Sequence, residues 1–146
     1  MTVQLKPKPF DPFRLLLQYQ ESRLAPGSYG ATASFIGTMR DFNQGDSVKR
    51  LFLEHYPGMT ERELEKIIAE ARQRWAFLEA LVAHRVGDIF PGEPIVLVVV
   101  WSVHRGPAFD ACRYIMEALK SRAPFWKKEK LPHKERWVSN DENLQN

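Results

Sequence analysis

The fold is decided by the stretch Lys120-Ser121-Arg122-Ala123-Pro124-Phe125-Trp126-Lys127-Lys128-Glu129. An amphipathic helix reaches Lys120 and ends at Pro124, because proline lacks an amide hydrogen and keeps the residue before it out of helical angles. In an unbroken helix, Lys120 and Lys127 would lie about 10 Å apart along one rod. The break lets the chain turn, so we expect both ammonium groups to face one pocket beside Phe125 and Trp126.

Two lysines that converge beside aromatic side chains favour a site for an anionic substrate. The alternative is a solvated basic edge next to two core aromatics, and this stretch taken alone favours that alternative. The net charge is only +3, but residues 120–136 contain seven Lys or Arg against two Glu. Such a cluster attracts phosphate, nucleic acid or an acidic protein surface, and it identifies none of them.

The composition is typical of a globular chain. The 146 residues suit one domain with a core, at 44% hydrophobic and 27% charged residues. No apolar run approaches the roughly 20 residues that span a bilayer, and residues 1–10 lack the apolar core of a signal peptide. The single cysteine, Cys112, excludes an internal disulfide and a cysteine-based zinc cluster. These features predict a cytoplasmic protein without membrane association.

Three helices are predicted from caps and apolar periodicity. Asp11-Pro12 opens the first, which runs to about Ser22. Thr60 and Glu63 form a capping box for the second, whose apolar stripe is Leu64, Ile67, Ile68, Ala71 and Trp75. Gly106-Pro107 opens the third, whose inner face is predicted to be Phe109, Cys112, Ile115, Met116 and Leu119.

Four strands are predicted, at residues 31–37, 48–56, 81–86 and 94–103. The first shows an alternating pattern, and the last is apolar enough to lie at the centre of a sheet. Residues 38–46 are rich in turn formers and are predicted to be a loop. The pattern predicts a single α+β domain over residues 1–138, followed by a polar, flexible tail over residues 139–146.

Two candidate anion sites follow strands. His104-Arg105 comes directly after the most apolar strand and just before a helix N-terminus, where a phosphate is favoured. The alternative is a histidine that caps the strand and an arginine in solvent, and an isolated pair would favour it. Arg40 lies in the loop from Gly37 to Gly45, which lacks the pattern of a nucleotide-binding P-loop.

Lys120 is the strongest candidate for chemistry. It lies about 40° around the helix from Met116, at the border of the apolar face, where desolvation lowers a lysine pKa. Such a lysine serves as a proton donor, a nucleophile or an oxyanion stabiliser, unless its stem packs on the core and its charge reaches water.

Cys112 lies on the apolar stripe and is predicted to be core. The four histidines have no ligand spacing, so no metal site is predicted, and no Gly-x-Ser-x-Gly elbow is present.

Ordered motifs extend through most of the chain. They are Phe35-Ile36-Gly37-Thr38-Met39-Arg40, Leu53-Glu54-His55-Tyr56-Pro57-Gly58-Met59, His84-Arg85-Val86-Gly87, Pro91-Gly92, Val103-His104-Arg105, Ala108-Phe109, the stretch from Lys120 to Glu129, and Arg136-Trp137-Val138. The set resembles the large, catalytic subunit family of molybdopterin synthase over about residues 30–138. Gly106-Pro107 departs mildly from the small polar residues often found there.

The resemblance implies an α/β hammerhead fold and a homodimer with one small subunit at each end, which makes a heterotetramer. The implied partner is a ubiquitin-like sulfur carrier whose C-terminal Gly-Gly carries a thiocarboxylate. The implied reaction converts cyclic pyranopterin monophosphate to molybdopterin by inserting two sulfurs as a dithiolene. No metal or redox cofactor is implied, because the partner supplies the sulfur.

The resemblance also implies roles for individual residues. Lys120 and Lys127 match the catalytic lysines, although the sequence leaves open which one acts as the acid and whether a covalent intermediate forms. The implied substrate contacts are Thr38, Met39, Arg40, His104, Arg105, Lys128 and Glu129, and Phe35 is implied to line the pterin or partner-tail pocket.

Two other functions are compatible with the residues alone. A non-catalytic module for single-stranded nucleic acid would use Phe125, Trp126 and the C-terminal lysines for stacking and phosphate contacts. The other possible function is that of an inactive scaffold that docks the small partner. The joint presence of Lys120, Lys127 and Arg40 argues against it.

Overall fold

The computed structural model describes residues 1–138, so the tail predicted at 139–146 lies outside the described residues. In chain order the elements are β1 Thr2–Lys6, α1 Pro12–Arg23, β2 Ala31–Thr38, β3 Phe42–Asn43, β4 Asp46–Ser47, β5 Arg50–His55, α2 Met59–Arg74, β6 Glu79–Arg85, β7 Gly87–Ile89, β8 Pro94–Ser102, α3 Arg105–Arg122, β9 Phe125–Lys130 and β10 Glu135–Val138.

Two four-stranded sheets and a short hairpin organise the chain. The first sheet has the order β1-β6-β8-β2 and the second has the order β10-β9-β5-β7, while β3 pairs with β4. Only β1 and β6 pair in parallel, and the other strand pairs described are antiparallel. Helices α2 and α3 pack on one face of the first sheet and α1 packs on the other. The predicted α+β class, with mainly antiparallel sheets and flanking helices, is confirmed.

Strand β8 is central in the first sheet, as its sequence predicts. Its side chains alternate between the two faces. Val96, Val98 and Val100 pack with α2 and α3, whereas Leu97, Val99 and Trp101 pack with α1. A strand buried on both faces needs a nearly continuous apolar run, which explains the composition of residues 94–102.

The first helix begins as predicted. The carboxylate of Asp11 accepts hydrogen bonds from the amides of Phe13 and Arg14, at 3.0 and 3.2 Å. Because these amides have no partner within the helix, the cap stabilises its first turn.

The capping box predicted for the second helix is wrong. Helix α2 begins two residues earlier, at Met59 with Gly58 as its N-cap, and the Glu61 carboxylate accepts the amide hydrogen of Gly58 at 3.0 Å. The Thr60 hydroxyl instead accepts from the amide of Tyr56 at 3.0 Å and donates to the carbonyl of Pro124 at 3.3 Å. Gly58 has a positive φ of 82°, which glycine adopts without strain and which shifts the start of the helix.

Helix α3 differs from its prediction at one position. Phe109 was expected on the inner face, but it is 66% exposed. The neighbouring Ala108 is buried in its place, about 100° around the helix, and small residues let α3 approach the sheet closely. The other predicted inner residues, Cys112, Ile115, Met116 and Leu119, are buried.

The predicted break at Pro124 is confirmed. Helix α3 ends at Arg122, and Ala123 has extended backbone angles with φ −67° and ψ 134°. Strand β9 begins at Phe125, directly after the proline, and pairs with β5 of the second sheet. The break therefore carries the chain from a helix on the first sheet into the second sheet.

Residues 38–46, predicted to be a loop, contain the small hairpin of β3 and β4. Its turn residues Gln44 and Gly45 have φ values of 54° and 82°. Two positive φ values are typical of the tight turns that join antiparallel strands. Strands β1, β7, β9 and β10 were not predicted, because three are short or polar and β1 lies in a segment that contains prolines.

Candidate active site

Residues from both four-stranded sheets and from the end of α3 line a cavity of about 270 Å³. That volume is close to the lower end of small-molecule sites, at roughly 300 Å³. Its walls combine apolar side chains with four charged ones, which are Arg40, Lys120, Lys127 and Glu129, and with the imidazole of His84. A mostly apolar wall with a few convergent charges is typical of a ligand site.

Lys120 and Lys127 both line this cavity, as predicted from the proline break. Lys120 lies in the last turn of α3. Lys127 lies on β9 and is buried, because Phe125, Lys127 and Glu129 share the inner face of that strand. Trp126 points to the opposite face and is exposed, so its predicted place beside the lysines is wrong.

The pKa of the Lys120 ammonium is lowered, first by burial and second by the charge of Arg40. Both effects disfavour the protonated form, as was expected for a lysine at the border of the apolar face. A lysine with a lowered pKa exchanges its proton more readily near neutral pH than an exposed lysine does. The site therefore contains a group suited to acid–base work.

The segment that carries Arg40 is held against the turn that follows β7. The amide of Met39 donates to the carbonyl of Glu93, and the carbonyl of Met39 accepts from the amide of Gly92, both at 2.9 Å. The Met39 side chain is buried. Thr38, Met39 and Arg40 all line the cavity, together with Phe35 from β2. Three of the predicted substrate contacts and the predicted pocket residue Phe35 thus lie on one wall.

Glu129 also lines the cavity, and its carboxylate has two partners within the protein. It accepts a hydrogen bond from Arg136 Nε at 2.7 Å and another from Asn43 Nδ2 at 2.6 Å. Arg136 also forms an ion pair with Asp46 at 2.9 Å. Asn43 and Asp46 belong to the β3–β4 hairpin, so Glu129 anchors the hairpin at the margin of the cavity.

His84 is a cavity residue for which the sequence predicts no role. It lies on β6, is 6% exposed and stacks on the Phe125 ring, with centroids 4.1 Å apart. Its pKa is lowered to about 4, chiefly by burial and further by the charges of Lys120 and Lys127. The signal in the sequence was a histidine that directly follows the apolar run Leu81-Val82-Ala83 in a predicted strand.

His104 and Arg105 do not reach the cavity within this chain. His104 is the N-cap of α3 and Arg105 is its first residue, so the helix begins one residue before the predicted start at Gly106. Lys120 follows Arg105 by 15 residues, which places it about 22 Å away along the helix axis. Lys128 also lies elsewhere: it is on the outer face of β9, bonded to Glu135 at 2.9 Å.

A second, more open groove reaches the same lysine. It runs between β2, at residues 32–35, and the length of α3 from Phe109 to Lys120. It shares three lining residues with the cavity, which are Phe35, Met116 and Lys120. Two openings therefore converge on Lys120.

The outer face of the second sheet carries exposed aromatic side chains and charges of both signs. The aromatics are Phe52, Trp126 and Trp137. The strand register places three basic residues, Arg50, Lys128 and Lys130, among three acidic ones, Glu54, Asp88 and Glu135. Because these formal charges cancel, this face lacks the basic excess that a nucleic-acid surface requires.

Cys112 is buried on the inner face of α3, as predicted. Burial raises the pKa of its thiol to about 11. A thiol with a raised pKa is a poor nucleophile at neutral pH.

Over residues 1–138, no group of three or more His, Cys, Asp or Glu side chains is arranged to hold a metal ion. No helix in the same range is long and apolar enough to cross a membrane.

Comparisons with known proteins agree with this geometry. The model of the MoaE protein family matches residues 7–122. The molybdopterin synthase catalytic subunit of Pseudomonas aeruginosa is 49% identical over 138 residues, which cover 94% of this chain and 90% of that protein. The crystal structure of molybdopterin synthase from Staphylococcus aureus has a TM-score of 0.83 at 29% identity, covering 93% of this chain and 96% of that one.

A complex of subunits 1 and 2 of molybdopterin-converting factor from Helicobacter pylori has a TM-score of 0.78 at 24% identity, covering 94% of this chain and 90% of that one. At this identity the likeness shows the fold alone. The family match and the identity to the Pseudomonas aeruginosa protein confirm the resemblance that the ordered motifs indicated. This chain belongs to the MoaE protein family, whose relatives include molybdopterin synthase catalytic subunits.

Proposed function

We propose that this protein is the catalytic subunit of a molybdopterin synthase. It converts cyclic pyranopterin monophosphate to molybdopterin, with two sulfurs supplied by the C-terminal thiocarboxylate of a small ubiquitin-like partner. The observation that carries the proposal is the meeting of Lys120, Lys127 and Arg40 on one cavity in a chain of this family. In this proposal the partner supplies the sulfur, so neither a metal nor a redox cofactor is needed.

The cavity residues suit the charges of this reaction. Arg40 offers a forked donor to the cyclic phosphate and holds the pterin in place. In each transfer a carbon–sulfur bond forms on the pterin side chain and a carbon–oxygen bond of that side chain breaks, and water then releases the tail of the partner as a carboxylate. Lys120 and Lys127 stabilise the negative charge that develops, and Lys120, with its lowered pKa, passes protons to the departing oxygen.

Two openings at Lys120 suit a reaction with two substrates. The pterin and the tail of the partner must both reach the reacting lysine, and a single closed cavity would admit only one of them. The Helicobacter pylori protein of the same fold is part of a complex of two subunits, and we propose a small second subunit for this chain as well. We propose a homodimer of this chain with one small subunit at each end, working in the cytoplasm.

The distance between His104-Arg105 and Lys120 is a chemical argument for the proposed homodimer. If His104 and Arg105 help to bind the phosphate, they must come from a second copy, since about 22 Å separates them from Lys120 along α3. Each cavity then combines Lys120 and Lys127 of one copy with His104 and Arg105 of the other.

The test is reconstitution from purified components. The protein is mixed with the cyclic pterin and with a small partner that ends either in a thiocarboxylate or in a carboxylate. We expect molybdopterin, measured as its fluorescent oxidised derivative, only with the thiocarboxylated partner. Absence of product with both partners, under conditions in which a known catalytic subunit makes it, would contradict the proposal.

A further inference from the structure

His84 is a buried ionisable side chain on the cavity, and the chemistry proposed above does not use it. Its ring lies on the inner strand β6 and stacks on Phe125, at an interplanar angle of 17°. Stacking of this kind fixes the plane of the ring. The imidazole is therefore held in one orientation at the cavity wall.

The partner of one ring nitrogen identifies the tautomer. His84 Nδ1 lies 2.8 Å from the backbone carbonyl oxygen of Arg85. A carbonyl oxygen only accepts, so Nδ1 carries the hydrogen and donates it. In a neutral imidazole the other nitrogen, Nε2, then has a lone pair and accepts hydrogen bonds.

Burial and, to a smaller extent, the positive charges on the cavity keep this ring neutral. The charged groups that share the cavity with His84 are Arg40, after β2, Lys120 on α3, and Lys127 and Glu129 on β9. A proton on Nε2 would add a further positive charge beside the lysines, and burial already disfavours it. The pKa of His84, lowered to about 4, follows from these two causes, with burial the larger.

We infer that His84 is a positioning residue, whose neutral Nε2 accepts a hydrogen bond from the lysine ammonium groups of the cavity and orients them toward the substrate. Lys120 and Lys127 are the two ammonium groups that line the cavity with His84, so either can be the donor. A neutral acceptor orients an ammonium group without lowering the positive charge that the phosphate needs. The expected effect of His84 on catalysis rests on the proposed function. The tautomer of His84 and its contact with the lysines do not.

Three variants of His84 distinguish the roles of its two ring nitrogens in the turnover assay. His84→Asn keeps a donor near the Nδ1 position, His84→Gln keeps an acceptor near the Nε2 position, and His84→Phe keeps only the ring. We expect His84→Asn and His84→Phe to lower kcat about tenfold or more while KM for the pterin changes less than about twofold. We expect His84→Gln to stay within about threefold of the parent. Equal kcat values for the Asn and Gln variants would overturn the inference.

A second measurement is independent of turnover. Nitrogen-15 NMR of the intact protein reports the protonation state of each ring nitrogen of His84. We expect protonated Nδ1 and unprotonated Nε2 from about pH 5 to about pH 8, and a change in the Nε2 chemical shift in Lys120→Met or in Lys127→Met. The exposed His133 serves as an internal control, since its signals should not respond to Lys120→Met. A protonated Nε2, or a shift that is unchanged in both Lys120→Met and Lys127→Met, would overturn the inference even if molybdopterin is made.

If the reconstituted protein makes no molybdopterin, the proposed function fails. The NMR result for His84 then still decides whether the neutral acceptor contacts the lysines. The two failures are therefore distinguishable.

Discussion

Arg40 and Lys120 line the same cavity, and the positive charge of Arg40 lowers the pKa of the Lys120 ammonium. Burial is the larger cause of the shift, and Arg40 adds to it. The two residues come from different elements, the segment after β2 and the last turn of α3. Their relationship links a residue suited to binding phosphate with a residue suited to transferring protons.

The first prediction concerns the pH dependence of turnover. If protonated Lys120 acts as the acid, kcat falls as pH rises through its lowered pKa. Arg40→Gln removes one positive charge from the cavity, so the basic limb of the kcat profile should move to higher pH. The limb should stay in place in Arg14→Gln, which removes a charge on α1, on the far face of the first sheet. A limb that moves equally in both variants, or in neither, contradicts the coupling.

The second prediction concerns stability at acid pH. The folded-state pKa of His84 is about 4, below its ordinary value of 6.5, so the unfolded chain binds the proton more tightly. The free energy of unfolding therefore falls as pH decreases from about 6.5 to about 4, by about 3 kcal/mol from this residue. Urea unfolding at several pH values should show this slope in the parent and a shallower one in His84→Gln. The same dependence of unfolding free energy on pH in the parent and in His84→Gln would contradict this prediction.

The third prediction concerns the contact between α2 and α3. Arg122 bridges Glu63 and Glu70, with nitrogen–oxygen distances of 2.9 and 2.5 Å. Arg122→Ala should lower Tm, because it removes a bridge with two carboxylates that joins the two helices. Arg113→Ala removes an exposed pair with Glu117 within α3 and should change Tm less. Equal changes in Tm for the two variants would contradict the structural role of Arg122.

The fourth prediction concerns a cavity shared between two copies. Lys120→Ala and Arg105→Ala should each be nearly inactive when pure. Dimers that contain one copy of each variant should have one intact cavity, so an equal mixture after exchange should regain about a quarter of the parental activity. No recovery in dimers shown to have exchanged would contradict a cavity shared between two copies.

Local rules predicted the elements that depend on a few neighbouring residues. The end of α3 follows from the steric effect of Pro124, and the start of α1 follows from the cap at Asp11. The inner lysines of the site were predictable for the same reason, because the break directs Lys120 and Lys127 to one place. The alternation of β9 then buries Lys127 and exposes Trp126, which requires knowing that this polar segment is a strand.

Contacts between distant parts of the chain were not predictable. Asn43 and Glu129 are 86 residues apart, and their hydrogen bond depends on the register of β9 and on the hairpin of β3 and β4. Phe109 was expected in the core because its periodicity fits an inner face, but the close packing of Ala108 excludes it. His104 and Arg105 were expected at the cavity because the resemblance groups them with Lys120, whereas the length of α3 separates them within one chain.

The most direct test of the central claim is a single-turnover measurement with Lys120→Ala. The parent and the variant are each saturated with a thiocarboxylated partner and given the cyclic pterin, and dithiolene product is quantified over time. Circular dichroism and binding of the partner verify that the variant is folded. We predict that the variant forms product at least about 100-fold more slowly than the parent, because it lacks the ammonium that transfers protons and stabilises charge. Product formation by the folded variant at the parental rate would contradict the claim that Lys120 is catalytic.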